Sequence, residues 1–563
     1  MNFREQLIEL LKKHTSLPKE EITLLLATPP DEKLGDYAFP CFKLGKNPQE
    51  EASKLKNKLP ETNFLLKIEV AGPYLNFFLH PKILAETALQ QIQKEKKHYG
   101  SSTEGKNKTI IIDFSSPNIA KPFGIGHLRS TVIGNSLYKT YRFLGYKTIS
   151  INHLGDWGTQ FGKLIIAYQK WGNKQELEQD PIKYLLSLYV KFHQESTAHH
   201  ELEEQARTEF KNLEDGRRTS LALWETFKFL SLEEFKRIYR QLNVTFDSYN
   251  GEAFYNDKTE STIKKIQSKI NTEISDGALI INLEQYKLPP VLLRKTNEST
   301  TYHTRDLAAA LYRIEHYKPA KILYIVGSEQ KMHFQQLFKT LELYGLPPST
   351  FEHIDFGLFQ FPEGKMSTRK GNIIFLEEVL DKATKLAEEI IQEKNPKLNN
   401  KQEIAKLIGV GAIIFADLSN DRIRNIEFNW NRMLSFEGET APYIQYTHAR
   451  ACSILRKAKK EHNLTISPKI NFALLNQTSE QTLIKQLYNF PETLHKVIQH
   501  NKPHILANYL IKLAQSFNEF YHYCPVLSDD KTLTKSRLLL VNSTRQVIEN
   551  GLSLLGIIAP AEM

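Results

Sequence analysis

Cysteine is scarce: Cys41, Cys452 and Cys524 are the three in 563 residues, too scattered for a disulfide framework or a thiolate metal cluster. Disulfide-stapled secreted scaffolds are thereby excluded, no metal site is expected, and buried thiols in a reducing cytoplasm are. No apolar run approaches the length of a membrane span. The opening MNFREQLIELLKKH threads acids and bases through its apolar positions and lacks a signal-peptide core, so a cytoplasmic location is expected. Phe3, Leu7, Ile8, Leu10 and Leu11 instead fall at helical spacing, as in an amphipathic helix packed on its own domain. Short-period repeats and low-complexity tracts are missing too. Acidic charge is not in excess: 74 Lys and Arg against 64 Asp and Glu give +10 and a pI near 9.0. That balance suits a polyanionic partner and equally an ordinary soluble surface.

What is present is enough chain for several hydrophobic cores, at 41% hydrophobic and 25% charged. The organising stretch is KTIIIDFSSPNIAKPFGIGHLRSTVIGNSL, residues 108–137. Ile110, Ile111 and Ile112 carry the continuous apolar signature of a strand covered on both faces, ended by Ser115, Ser116, Pro117 and Asn118. Gly124 and Gly126 let backbone approach a ligand closely, and the amides of the following helix start face whatever lies above; an anion fits there. Taken singly the motif is equally served by tight packing. Far downstream, GKMSTRKG, residues 364–371, follows the strand-like HIDFGLFQF as a cationic, glycine-bounded loop able to close over a polyphosphate.

Residues 1–100 read as a small α+β domain, ending in the charged linker QKEKKHYGSSTEGKNK. Residues 108–375 read as a Rossmann-like parallel-sheet core: strand 109–114, helix 126–144, the strand KTISINH, an insertion at about 165–290 at the crossover, then VLLRK, residues 302–312, the strand KILYIVG and a helix from Gln330. Ligands of such sheets bind beyond the carboxyl ends of the strands. A helical connector, 376–430, leads to an all-helical bundle, 431–563, with apolar residues three to four apart. The expected fold class is therefore α/β, with an N-terminal α+β domain and a C-terminal helical bundle flanking the core.

PNIAKPFGIGH resembles the HIGH motif, and GKMSTRKG the KMSKS motif, of class I aminoacyl-tRNA synthetases. SSPNIAKP, LGDWGTQFGKL, GEAFY, YHTRDLAAA, GSEQKMHFQQLF and APYIQYTHAR resemble the arginyl-tRNA synthetase family in its usual order, over nearly the whole chain. The resemblance implies ATP-dependent activation of L-arginine and its transfer to tRNA(Arg), with Mg2+ riding on ATP, by a monomer that needs bound tRNA before it activates arginine. It makes the first domain a tRNA-contacting one through Tyr37 and Asn76, and the bundle an anticodon-binding one through Trp430, Tyr443, Tyr446, His448 and Arg450. Aromatic side chains among basic residues suit stacking on splayed bases, though an aromatic stripe equally suits a core.

The resemblance also assigns the site. Lys121, Gly126, His127 and Lys365 are its expected catalytic residues, and Pro117, Gly124, Gly126, His127, Lys365, Met366 and Ser367 its expected ATP contacts. A planar guanidinium is best read by carboxylates that accept paired hydrogen bonds. The positions matching the family's arginine pocket are Asp113, Asn118, Glu252, Tyr302, Asp306 and Gln330; Asp306 would also serve as a helix cap. His153, His303 and His333 are further candidates. The chain departs from the family motifs twice, with Gly124 for the first His and Thr368 for the second Lys. Members lacking that loop lysine typically carry one ahead of the HIGH block, where Lys121 stands. These departures admit a rival reading, a catalytically weak or inactive tRNA-binding relative.

Overall fold

The structure, a computed structural model, describes residues 2–296, 299–360, 374–427, 429–467 and 470–563. It divides into two compact units: Met1–Tyr99 with Arg450–Pro491 and Lys512–Ile548, and Gly100–Ala449 with Glu492–Ile511 and Glu549–Met563.

In the first unit the helix Phe3–His14 is capped by Asn2, whose side chain accepts from the Glu5 amide, and buries Phe3, Leu7, Ile8 and Leu11. Three antiparallel strands, β1 (Tyr37–Pro40), β2 (Leu65–Ala71) and β3 (Tyr74–Leu79), lie in the order β1-β3-β2. The charged stretch read as a linker ends in order: Tyr99 is buried and its hydroxyl donates to the Leu487 carbonyl at 2.9 Å. Within this unit the N-terminal residues also meet the helical segment through Lys485 and Asp36, 2.8 Å apart.

The second unit is built on β4 (Thr109–Asp113), β5 (Lys147–Ile151), β9 (Lys321–Tyr324) and β10 (Phe351–His353), all parallel, in the order β10-β9-β4-β5. Ile111 pairs with Ile149 on one side and Ile322 on the other, which is why its strand reads as unbroken apolar sequence. The long helices Thr159–Trp171, Pro181–Ala198, Glu201–Glu214 and Arg218–Gln241 are among those in the crossover between β5 and β9. VLLR does not resume the parallel sheet: β6 (Glu273–Ser275), β7 (Ala278–Ile281) and β8 (Val291–Arg294) form a separate antiparallel sheet. Val291 and Leu293 are apolar because they join the same buried cluster as Ile111 and Ile322. The strand-like HIDFGLFQF is likewise divided between β10 and β11 (Phe359–Gln360), the latter pairing with β12 (Ile426–Glu427). Among the described residues no helix is long and apolar enough to cross a membrane.

Candidate active site

Beyond β4 the backbone turns sharply, with Ser115, Ser116 and Ala120 all at positive φ. Ser115 is held there by its neighbours: its amide donates to Ser130 Oγ at 2.9 Å, and its hydroxyl lies 2.7 Å from Tyr239 Oη. Pro117 is buried, and its carbonyl accepts the Gly155 amide. Asn118 bridges to Gly155 so closely that a Cβ there would sit 1.9 Å from its Oδ1. The chain then enters the helix Gly126–Phe143, which has no side-chain cap at its start. A Cβ on Gly126 would meet nothing within 4 Å, so open space lies over the first turn; the His127 and Leu128 amides already donate to the Gly124 and Ile125 carbonyls, and it is the helix dipole that favours an anion there.

Beside that space, burial pushes the His127 imidazole down to about 4; the Gly124 backbone opposes the fall and the Lys121 charge adds to it. His127 is therefore a neutral hydrogen-bonding group at pH 7. Lys121 is half-buried, its Nζ 5.6 Å from the Tyr189 ring centre. Gly124 bridges to Phe375, and Ile125 donates to the Ile374 carbonyl. The chain thus returns to the glycine turn at residue 374. Lys365, Met366, Ser367, Thr368 and the rest of GKMSTRKG lie outside the described residues.

One turn into the same helix, buried Arg129 holds together segments distant in sequence. Its Nε lies 3.0 Å from Asp417 Oδ2, its Nη1 donates to the carbonyls of Gly357 and Arg424 at 2.8 Å each, and its Nη2 to that of Arg422 at 3.1 Å. Burial raises the Asp417 carboxyl to about 6 against the opposing pull of Arg129.

The carboxylates gather beyond the ends of β4, β5 and β9. Tyr302 and Asp306 fall on adjacent turns of the helix Tyr302–Tyr317; Thr301 is its N-cap residue, so Asp306 is no cap. Asp306 Oδ2 lies 2.7 Å from His333 Nε2 and Oδ1 3.7 Å from His153 Nε2. Burial pushes the Asp306 carboxyl up, but the hydrogen bond and charge of His333, with His153 and Arg313 beyond, bring it below the usual range. The Tyr302 ring, half exposed, lies over His303 and His333, with centroids 4.1 and 5.1 Å away.

Glu252 comes to the same place from another segment. Burial raises its carboxyl above the usual range, Asp306 and Asp156 push the same way, and Arg305 and His153 pull it back. Its Oε2 accepts from Arg305 Nε at 3.1 Å. Its position is set by Asp156, fully buried, which accepts the Ala253 amide at 2.8 Å and pairs with Lys228 at 2.7 Å, while its carbonyl accepts Trp224 Nε1 at 2.7 Å. Gln330 is exposed just past β9.

Asp113 takes a different partner from the one expected. It is buried; its Oδ2 pairs with Arg313 Nη1 at 2.7 Å and its Oδ1 accepts from Ser116 Oγ at 3.1 Å, so both oxygens already have partners within the chain. Asp156, Lys228, Arg305 and Arg313 were not singled out from sequence, although Asp156 lies in the LGDWGTQFGKL block and Arg305 in the YHTRDLAAA block.

The expected RNA contacts differ widely in exposure. Tyr37 and Asn76 are 3% and 4% exposed within the β1-β3-β2 sheet. His448 is buried with Nδ1 2.8 Å from the Pro560 carbonyl, fastening the chain's last residues. Trp430 is half-buried with Lys382 Nζ 4.6 Å over its ring, and Tyr443 is half-buried. Tyr446 is exposed. Arg450, half-buried, donates to Asn518 Oδ1 and lies 5.5 Å from the ring of exposed Tyr521, an aromatic residue the sequence did not mark. Among the described residues no group of three His, Cys, Asp or Glu side chains is placed to hold a metal ion.

A parallel sheet whose central strand leads through a glycine turn to an uncapped helix, with carboxylates gathered at its carboxyl edge, defines a class I synthetase catalytic domain. Residues 88–430 match the family model described as tRNA synthetases class I (R), catalytic domain; 444–563 match the DALR anticodon binding domain and 1–79 the arginyl tRNA synthetase N terminal domain. The chain is 48% identical over 559 residues to an arginine–tRNA ligase of Clostridioides difficile, covering 98% of each. It is 47% identical over 563 residues to one of Clostridium kluyveri, covering 99% of each. In fold it is similar to the arginyl-tRNA synthetase of Thermus thermophilus, with TM-score 0.87, 24% identity and complete coverage of both chains. The chain belongs to the arginyl-tRNA synthetase family.

Proposed function

We propose that this chain is an ATP-dependent ligase that charges tRNA(Arg) with L-arginine, acting as a cytoplasmic monomer. In the first step an oxygen of the arginine carboxylate attacks the α-phosphorus of ATP; the bond to the β-phosphate oxygen breaks, giving arginyl-adenylate and pyrophosphate. In the second, a ribose hydroxyl at the tRNA 3' end attacks the acyl carbon and AMP leaves. Neither step needs a protein nucleophile; both need in-line positioning and donors aimed at developing charge.

The helix start at Gly126, with Pro117, Gly124 and neutral His127, would cradle the phosphates, and Lys121 would supply the cation that Thr368 does not. Lys365, Met366 and Ser367 keep their proposed ATP contacts. Mg2+ would be carried in on the phosphate oxygens, whose charge it screens. Glu252 and Asp306 would read the guanidinium, Tyr302 would flank it, and Asn118 and Gln330 would hold the α-amino and carboxylate end. Asp113 would support this pocket through Arg313 instead of touching substrate. Trp430, Tyr443, Tyr446 and Arg450 remain the proposed RNA contacts, with residues 431–563 reading the anticodon and 1–100 meeting the tRNA elsewhere.

The observation that carries the reading is that Glu252 and Asp306, from separate segments, bear on one histidine at the carboxyl edge of the sheet. Retention of both acids, together with relatives named as ligases, favours catalysis over a purely tRNA-binding role. The test is exchange of labelled pyrophosphate into ATP with arginine, with and without tRNA, repeated with lysine. Exchange that needs both tRNA and arginine supports the reading; none under any condition returns the RNA-binding rival.

A further inference from the structure

A row of charges runs inward from the amino-acid pocket. Asp113 pairs with Arg313 at 2.7 Å; Arg313 Nη2 lies 3.3 Å from His153 Nδ1; His153 Nε2 faces Asp306 Oδ1 at 3.7 Å; and Asp306 Oδ2 meets His333 at 2.7 Å. Guanidinium has five N–H donors and no acceptor, so the 3.3 Å contact requires a lone pair on His153 Nδ1. The one proton of the neutral ring then sits on Nε2, pointing at Asp306. Protonating Nδ1 would place two donors and two positive charges against each other beside a buried guanidinium that Asp113 keeps charged. His153 Nε2 is itself buried and without a hydrogen-bond partner, a donor aimed into the pocket and not yet used.

We infer that His153 is a positioning residue for arginine selection: locked by Asp113 and Arg313 in the tautomer that donates from Nε2, it orients the Asp306 carboxylate toward the substrate guanidinium. This rests on the proposed role of Asp306. When substrate displaces water from the pocket, Asp306 loses solvent donors, and the unused Nε2–H, its nitrogen 3.7 Å from Oδ1, closes onto that oxygen to compensate, leaving the outward lone pairs for the ligand. A neutral donor does this without cancelling the negative charge that attracts arginine, which an imidazolium would. The other groups bearing on the ring and on Asp306 include Glu252, Tyr255, whose ring centre is 5.6 Å from that of His153, Tyr324, packed on Arg313, and Tyr302 and His303 from the helix that carries Asp306.

The experiment is tRNA-dependent pyrophosphate exchange with the full-length chain. His153→Phe keeps a flat ring and loses the donor; arginine KM should rise about tenfold, the loss of one hydrogen bond to a charged group, with ATP KM within twofold. His153→Gln, whose amide can donate from near the Nε2 position, should return arginine KM to within about threefold of the parent. The His153→Gln comparison stands even if His153→Phe does not fold. Asp306→Asn separates the two claims: unchanged arginine KM in that variant removes the pocket assignment itself. If Asp306→Asn raises arginine KM while His153→Phe does not, the positioning role alone falls. Arginine and ATP KM rising together in His153→Phe, or a His153→Gln variant whose arginine KM stays about tenfold above the parent, also overturns it.

Discussion

Replacing Lys228 by Met removes the charge that balances Asp156 where the turn after β5 is tied to Glu252. Asp156 is fully buried and Lys228 Nζ lies 2.7 Å from its Oδ2. Stranding one member of a buried ion pair costs about 3–5 kcal/mol. Here the Lys228 side chain is 25% exposed and the Ala253 amide still donates to Oδ1, so about 2–3 kcal/mol is expected. At about 2.1 cal/mol/K of unfolding entropy per residue, that lowers the melting temperature of a unit of this size by roughly 3 °C. Adding Asp156→Asn removes the second charge yet keeps an oxygen for the Ala253 amide, so the double variant should recover more than half of the loss. The first turn of the helix Glu252–Asn256 loosens in the single variant, and arginine KM should rise about fivefold with ATP KM unchanged, a shift of about 1 kcal/mol. Scanning fluorimetry and exchange kinetics on the two variants read both effects. Additive losses in the double variant, or a single variant melting within 1 °C of the parent, would falsify the assignment of Asp156 as a tether.

Gly126→Ala should leave the melting temperature within about 2 °C, since its methyl meets nothing within 4 Å, yet lower kcat/KM for ATP at least tenfold by filling the space over the helix start; unchanged ATP kinetics would place the phosphates elsewhere. Lys121→Ala should slow pyrophosphate exchange by at least tenfold, as removal of a phosphate-facing cation does, and a rate within about twofold of the parent removes Lys121 from the phosphate site. Asp417, raised to about 6 by burial, holds its proton in the folded state after the unfolded chain has lost it. Its contribution to stability is therefore fully present below pH 4 and lost as pH rises through 6. The melting-temperature advantage of the parent over Asp417→Asn should shrink between pH 5 and 7.5, and an advantage that grows instead contradicts this.

The strand, glycine turn and helix around Gly126 were legible because their signals are local: three isoleucines, a Ser-Ser-Pro stop, and glycines where backbone must lie open. The α/β class followed from those elements and their spacing. VLLR misled because an apolar run reports burial and says nothing of which sheet a strand joins; Val291 and Leu293 bury into the core of the parallel sheet from a different sheet. Asp113 showed its charge in the sequence but not its partner, since Arg313 reaches it from a helix two hundred residues on. Tyr37, Asn76 and His448 have the chemistry of RNA contacts, and only packing reveals how little of each is exposed. Lys228 carried no signal at all, being one of two lysines on a charged helix.

Arg129 has a consequence for how this chain can be divided. Its four acceptors come from Gly357 before the second motif and from Asp417, Arg422 and Arg424 well after it. A fragment stopped at residue 375, where the sequence suggests the sheet domain ends, would leave a guanidinium sealed in the interior with a single carbonyl. The piece that resembles a free-standing nucleotide-binding module is therefore tied through one buried side chain to the helices that follow, and a fragment without them should be poorly stable.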